Sequence, residues 1–190
     1  LFMQPNSASA ISMPKPLNVL FLCTHNSARS ILAEAILNAM GTGRFRAYSA
    51  GSSPRPNQQP NPLGLQVLRE AGIETAGLSS KSWDVFAGPS APAMDLIVTV
   101  CDSAAGEVCP IWPGHPATVH WGYADPSAGD ASDAIKLDAF RQTCKTDNYV
   151  LCVGLMHLEK VVVVNHPYND ILDVVGLVGE DVRVHRQRAD

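Results

Sequence analysis

Short apolar runs alternate along residues 17–143 with segments in which apolar residues recur at helical spacing. The runs at residues 17–22 and 95–100 are almost unbroken, which is typical of strands buried on both faces of a parallel sheet. Residues 46–50 and 118–121 form two shorter runs of the same kind. The hydrophobic pattern therefore predicts four strands.

Helical patterns fill the intervals between these strands. One begins near Ser27 and ends at Gly41, a second begins at Asn61 with a cap followed by proline, and a third is opened by Ser132. Residues 83–86 indicate a short helical turn. Strands that alternate with helices imply right-handed βαβ units. The sequence thus predicts an α/β, three-layer fold in which a four-stranded parallel sheet is flanked by helices.

The two ends of the chain lack this alternation. Residues 1–16 are rich in Ser, Pro and Asn, which predicts a disordered leader. Residues 144–190 are Val-rich, with strand-like patterns at 149–155 and 161–164. We expect a catalytic domain over residues 17–143 and a divergent C-terminal segment, residues 144–190, packed on that domain.

Composition and charge exclude several classes of function. The net charge of −4 comes with no basic stripe, which argues against nucleic-acid binding. No run approaches the roughly 18 apolar residues of a membrane span, and the leader lacks the features of a secretory signal. Five cysteines in 190 residues are an odd number and too few for a disulfide scaffold. We therefore expect a cytoplasmic protein with reduced thiols that binds neither nucleic acid nor membrane.

The loop between the first strand and the first helix carries the main chemical signal. Cys23 ends the strand, and Arg29 follows after five intervening residues. A free cysteine has a pKa near 8.5, so only about 3% is thiolate at pH 7. A helix N-terminus, loop N–H groups and the Arg29 fork would favour both a thiolate and a bound phosphate-like oxyanion. We therefore predict a nucleophile with a lowered pKa. A shift of about two units, equivalent to about 2.7 kcal/mol, would make the thiolate the major form.

Other residues of the loop are expected to serve the same anion. Ser30 could donate a hydrogen bond to Cys23, and Asn26 tolerates the left-handed conformation that tight loops require. His25 is interpreted as a loop residue whose backbone matters more than its side chain. The alternative is that Cys23 is merely a small buried residue, because Cys-x5-Arg recurs by chance. The predicted oxyanion-binding loop comprises Thr24, His25, Asn26, Ser27, Ala28 and Arg29.

Five segments of the chain together resemble the arsenate reductases built on the low-molecular-weight protein tyrosine phosphatase fold. They read CTHNSARS from Cys23, YSAG from Tyr48, KSWD from Lys81, VCDSAAGEVCP from Val100 and HWGYADP from His120. The resemblance covers about residues 17–141. It implies that fold, arsenate as the substrate, and Cys23 as the nucleophile.

The resemblance also implies a thiol relay through Cys101 and Cys109. Cys101 would be the first resolving thiol, and Cys109 the second and the contact for an external reductant, thioredoxin or a glutathione/glutaredoxin system. Two structural cysteines remain an alternative. A zinc site that includes His115 and His120 is another, although the spacing fits no common zinc module.

Asp125 is followed by Pro126 in a loop after the fourth strand. The resemblance implies that Asp125 is the general acid, and a carboxyl group beside an anion-filled pocket is expected to have a raised pKa. An ordinary Asp-Pro turn is the alternative.

Two further features concern cofactors and the remaining cysteines. No cofactor is expected to be bound, but the resemblance implies a potassium ion in some members, at positions that correspond here to Asn26, Glu34, Ser49 and Asp84. Cys144 and Cys152 match no cysteine of the family and are interpreted as incidental.

Three functions are consistent with these residues. The first is arsenate reduction. The second is hydrolysis of phosphotyrosine or of a small phosphate monoester, against which the Cys101–Cys109 pair argues because water completes a phosphatase cycle. The third is non-catalytic oxyanion binding, which the joint presence of Cys23, Arg29 and Asp125 disfavours.

Overall fold

The computed structural model describes residues 15–108, 110–114 and 116–146, together with the backbone of residues 183–185. The predicted strands at 149–155 and 161–164 lie outside these ranges, as does nearly all of the predicted leader. The division into residues 1–16, 17–143 and 144–190 stays a prediction.

In the part of the chain that the structure describes, one sheet contains five strands, which are β1 Leu17–Cys23, β2 Phe45–Gly51, β3 Leu96–Thr99, β4 Ala117–His120 and β5 Arg183–His185. Their order in the sheet is β2-β1-β3-β4-β5. The first four strands are parallel, which confirms the predicted four-stranded parallel sheet. The fifth strand runs antiparallel to β4 and pairs Val184 with Val119, an addition that the sequence pattern did not predict.

Among the described residues, four α-helices and one 3-10 turn follow the strands. The helices are α1 Arg29–Met40, α2 Pro62–Glu70, α3 Asp102–Ala105 and α4 Asp133–Lys145, and the 3-10 turn is Trp83–Phe86. The predicted helices are confirmed, with Asn61 and Ser132 at the N-cap positions of α2 and α4. The sequence pattern did not predict the short helix α3, which follows β3, because four residues are too few to show a helical period.

Alternate residues of β1 enter two separate apolar clusters, which explains the three layers. Phe21 packs with Leu32 of α1, Leu68 of α2 and Phe140 of α4. Leu20 and its neighbours on the opposite face are covered by the 3-10 turn and by Trp112. Burial on both faces is why the β1 run is continuous instead of alternating. The carboxyl ends of β1, β3 and β4 consequently lie along one edge of the sheet, where ligands bind in such folds.

Candidate active site

Cys23 and the next six residues form a tight loop between β1 and α1. Asn26 adopts a left-handed conformation with φ of 51°, as its residue type allows. The backbone N–H of Asn26 thereby donates to Cys23 Sγ at 3.1 Å. Gly51 packs against the other side of the loop, where a Cβ atom would lie 2.7 Å from the Thr24 carbonyl oxygen. The loop therefore requires glycine at the end of β2.

Ser30 lies where the sequence predicted a partner for the nucleophile. Its hydroxyl is 3.0 Å from Cys23 Sγ, and it also accepts from Asn26 Nδ2 at 2.9 Å. If the hydroxyl donates to sulfur, Cys23 receives two hydrogen bonds that stabilise a thiolate.

The predicted lowering of the Cys23 pKa is nevertheless wrong for the free thiol. Burial raises the pKa of Cys23, and the hydrogen bonds from Ser30 and from the Asn26 N–H offset only part of that effect. A negative charge on Cys101 would raise the pKa further. The error arose because the prediction counted the donors and the cation but omitted the desolvation of a residue that is only 4% exposed.

Arg29 links the loop to the segment after β4. Its guanidinium donates to the Tyr123 carbonyl oxygen at 3.0 Å and to Asp125 Oδ2 at 3.1 Å. The nucleophile loop and the candidate acid, 96 residues from Arg29 in sequence, are thus brought together by one side chain.

Asp125 does not have the raised pKa that was expected. Burial alone would raise its pKa, but hydrogen bonds from the Ser127 hydroxyl and amide, together with the positive charge of Arg29, lower it below the ordinary value. The expectation assumed an anion as the neighbour of Asp125, whereas in the structure the neighbour is the Arg29 cation.

Cys101 lies directly beside the nucleophile loop. It occupies the N-cap position of α3, is buried, and has its sulfur 3.6 Å from Thr24 Oγ1. Cys23 at the end of β1 and Cys101 after β3 thus lie at the same edge of the sheet. Cys109 lies outside the described residues. Among the described cysteines, Cys23, Cys101 and Cys144 are free thiols.

The other loop residues make structural contacts or lie at the surface of the site. The carbonyl oxygens of Ser27 and Ala28 accept from Asn61 N and Leu32 N, which fixes the loop to α2 and to the first turn of α1. His25 is half-buried in the loop. His115, one member of the zinc alternative, lies outside the described residues, so its place in such a site is untested. The other member, His120, contacts Thr99 and Asp102. Within the described ranges, no group of three or more potential metal ligands occurs.

Three of the four predicted potassium ligands lie together. Asn26 Nδ2 donates to Ser49 Oγ at 2.8 Å, and Ser49 Oγ donates to Glu34 Oε2. Asp84 accepts instead from Ser82 Oγ at the surface. Lys81 Nζ lies 3.8 Å from Glu34 Oε2, so an ammonium group already faces this carboxylate. The set fits a potassium ion only if Lys81 moves away, and potassium binding stays a prediction.

Sequence reasoning missed three residues that complete the site. Lys81 donates its backbone N–H to Asn26 Oδ1 at 2.8 Å, Tyr123 accepts from Arg29 through its carbonyl, and Asp102 bonds to His120. All three lie inside segments that had been recognised as motifs, so their position was a signal. Their partners are non-local and could not be deduced from spacing.

The family model for low molecular weight phosphotyrosine protein phosphatases matches residues 18–151. The match includes the nucleophile loop, Cys101 and Asp125. The chain belongs to this family.

Within the family, sequence relatives of the chain are arsenate reductases. The arsenate reductase of Halalkalibacterium halodurans is 34% identical over 124 residues, which are 65% of this chain and 84% of the relative. The arsenate reductase of Bacillus subtilis (strain 168) is 32% identical over the same shares of each chain.

Solved structures agree on the fold. An arsenate reductase in the oxidized state superposes with a TM-score of 0.57 at 22% identity, covering 73% of this chain and 95% of that one. A low molecular weight phosphotyrosine phosphatase from Vibrio cholerae O395 gives a TM-score of 0.57 at 19% identity, covering 75% and 97%. At these identities the likeness concerns the fold alone.

Proposed function

We propose that this protein reduces arsenate to arsenite through a thiol relay that begins at Cys23. One observation carries the proposal: a second buried free thiol, Cys101, contacts the nucleophile loop through Thr24. A hydrolytic phosphatase needs no such thiol, whereas reduction needs a second sulfur to accept the bond that leaves arsenic. The arsenate reductase relatives support the same substrate.

In the first step Cys23 attacks the arsenic of bound arsenate. The loop N–H groups and the Arg29 fork hold the oxyanion. Because the oxyanion competes with Asp125 for Arg29, binding weakens the ion pair that keeps Asp125 ionised. Asp125 can then take up a proton and donate it to the departing oxygen, which leaves as water.

In the second step Cys101 attacks Cys23 Sγ as a thiolate. The sulfur–arsenic bond breaks, its electron pair stays on arsenic, and As(V) becomes As(III) as the Cys23–Cys101 disulfide forms. Cys109 would then attack Cys101 and release Cys23 as a thiolate. An external dithiol returns the Cys101–Cys109 disulfide to thiols.

We propose thioredoxin as that dithiol, with a glutathione/glutaredoxin system as the alternative. An intramolecular disulfide is reduced by a partner that carries two thiols, as thioredoxin does. The three free cysteines among the described residues support a reducing, cytoplasmic location. No helix in the described part of the chain is long and apolar enough to cross a membrane.

The test is a coupled assay with arsenate, thioredoxin, thioredoxin reductase and NADPH. We expect Cys23→Ser, Cys101→Ser and Cys109→Ser each to lose turnover, because each removes one station of the relay. Cys144→Ser is the matched control, because it removes a free thiol of α4 that has no place in the relay, and this variant should turn over normally. Full activity of both Cys101→Ser and Cys109→Ser would contradict the relay.

Phosphate-monoester hydrolysis is the second candidate, because the family model that matches the chain is that of phosphatases and the site brings a thiol, Arg29 and Asp125 together. Hydrolysis of p-nitrophenyl phosphate without arsenate turnover would favour it.

A further inference from the structure

A chain of polar contacts joins the ends of β3, β4 and α3 around Cys101. Thr99 Oγ1 lies 2.8 Å from His120 Nδ1, and His120 Nε2 lies 3.0 Å from Asp102 Oδ1. Thr99 and His120 are register partners in the β3–β4 ladder, which fixes the imidazole over the end of β3. Cys101 lies between Thr99 and Asp102 in the sequence. His120 therefore links the residues on either side of the segment that contains Cys101, the first resolving thiol.

Both hydrogen bonds of the Thr99–His120–Asp102 series can form with a neutral imidazole. Thr99 is buried, and its hydroxyl can donate to His120 Nδ1. That bond leaves the hydrogen on Nε2, where it points at the Asp102 carboxylate. Thr99 thus orients the His120 ring from one side, and Asp102 orients it from the other.

Gly122 leaves the space that this contact occupies. A Cβ atom at position 122 would lie 2.6 Å from Asp102 Oδ1 and 2.8 Å from His120 Nε2. No real Cβ comes so near, so any side chain there would push the two groups apart. Gly122→Ala consequently disturbs the contact without changing either partner.

The contact is poorly placed to serve stability. The Asp102 side chain is 95% exposed, and pairs in such a position add little to the free energy of unfolding. It is well placed to serve geometry, because Asp102 is the residue after Cys101 and begins α3. A sulfur nucleophile must approach in line, and a displacement of roughly 1 Å can lower a rate by about 100-fold.

We propose that His120, acting through Asp102, is a positioning residue that holds Cys101 for its attack on Cys23 Sγ. The proposal rests on the thiol relay described above. In that step one sulfur–sulfur bond forms, the sulfur–arsenic bond breaks, and arsenic retains the electron pair. His120 takes no proton in the step and touches no reacting atom.

The test isolates this step in a Cys109→Ser background, where the Cys23–Cys101 disulfide accumulates. Protein is mixed with arsenate, quenched with acid and alkylated, and the disulfide is counted by mass spectrometry. Two substitutions of His120 form a matched pair: Gln places an amide nitrogen near Nε2 and keeps the donor to Asp102, whereas Asn places it near Nδ1 and loses that donor. Gly122→Ala disturbs the contact independently.

We expect His120→Asn and Gly122→Ala to slow disulfide formation by about 10- to 100-fold, and His120→Gln to stay within about threefold of the parent. Alkylation of Cys23 by iodoacetamide, and its protection by inorganic phosphate, should be unchanged in all variants, because the oxyanion loop is untouched. A fold defect would alter that protection as well. Parental rates in both His120→Asn and Gly122→Ala, or an equal loss in His120→Gln, would overturn the proposal. If the Cys109→Ser parent itself forms no disulfide with arsenate, the relay fails instead.

Discussion

Ser30 and Cys23 show how single side chains set the reactivity of this site. Burial makes the Cys23 thiolate costly, and the hydrogen bonds from Ser30 and from the Asn26 N–H are what counteract it. The raised pKa is therefore a balance between desolvation and two donors. Removing either donor should raise the pKa of Cys23 further.

We predict that Ser30→Ala raises the pKa of Cys23 further. A hydrogen bond to a charged group contributes about 1.5–3 kcal/mol, equivalent to about one to two pKa units. At a pH below the pKa the thiolate fraction should fall by about 10- to 100-fold, and the loss should be recovered as the pH rises. The measurement is the pH dependence of Cys23 alkylation in a Cys101→Ser background.

Ser27→Ala is the control for this experiment, because Ser27 belongs to the same loop but contributes its carbonyl oxygen to Asn61. Its alkylation profile should coincide with the parent. An unshifted profile in Ser30→Ala would show that the hydroxyl does not donate to sulfur.

At the scale of elements, the segment before the 3-10 turn supports the nucleophile loop. The backbone N–H of Lys81 bonds to the Asn26 side chain, and the Lys81 ammonium faces Glu34 on α1. Burial raises the pKa of Glu34, while Lys81 and the Ser49 hydroxyl oppose that rise. The segment thus supplies the positive charge that a potassium ion was predicted to supply.

We predict that Lys81→Met makes arsenate reduction dependent on potassium. The substitution removes the ammonium but keeps the backbone bond to Asn26, so the Glu34 carboxylate needs another cation. Rates should be compared in potassium and sodium chloride at equal ionic strength, with Lys136→Met on α4 as the control. A several-fold potassium effect in Lys81→Met, much larger than in the parent, is expected. If parent and variant respond equally to potassium, the Lys81 ammonium does not take the place of a potassium ion.

At the scale of the whole molecule, α4 closes one face of the sheet. Phe140 is completely buried and packs with the α1 and α2 cluster against β1. Its ring also lies 3.1 Å from where a Cβ atom would sit on Gly64, so α2 and α4 approach closely at that point. The core therefore depends on a helix that contributes none of the candidate catalytic residues.

We predict that Phe140→Ala lowers the free energy of unfolding by about 3–5 kcal/mol, from lost burial and the cavity that remains. Ile135→Ala on the same helix is the matched control, since Ile135 is mostly exposed and should cost less than about 1 kcal/mol. Urea unfolding followed by circular dichroism measures both. Similar stabilities of the two variants would mean that α4 does not contribute to the cooperative core.

Local patterns of the sequence determined the alternation of strands and helices, the caps at Asn61 and Ser132, and the loop from Cys23 to Arg29. These follow from periodicity, capping and the left-handed tolerance of Asn26, which act within a few residues. Even so, α3 escaped prediction because four residues are too few to show a helical period.

Only the tertiary structure decided what surrounds the reactive groups. The Arg29–Asp125 pair, the approach of Cys101 to Thr24, and the contact of His120 with Asp102 join residues that are distant in sequence. Burial of Cys23 by the packed layers raises a pKa that the local donors alone would lower. The pairing of β5 with β4 likewise joins residues that are more than 60 positions apart in the sequence. The sequence thus specified the chemical groups, and folding set their distances and their exclusion from water, on which charge and reactivity depend.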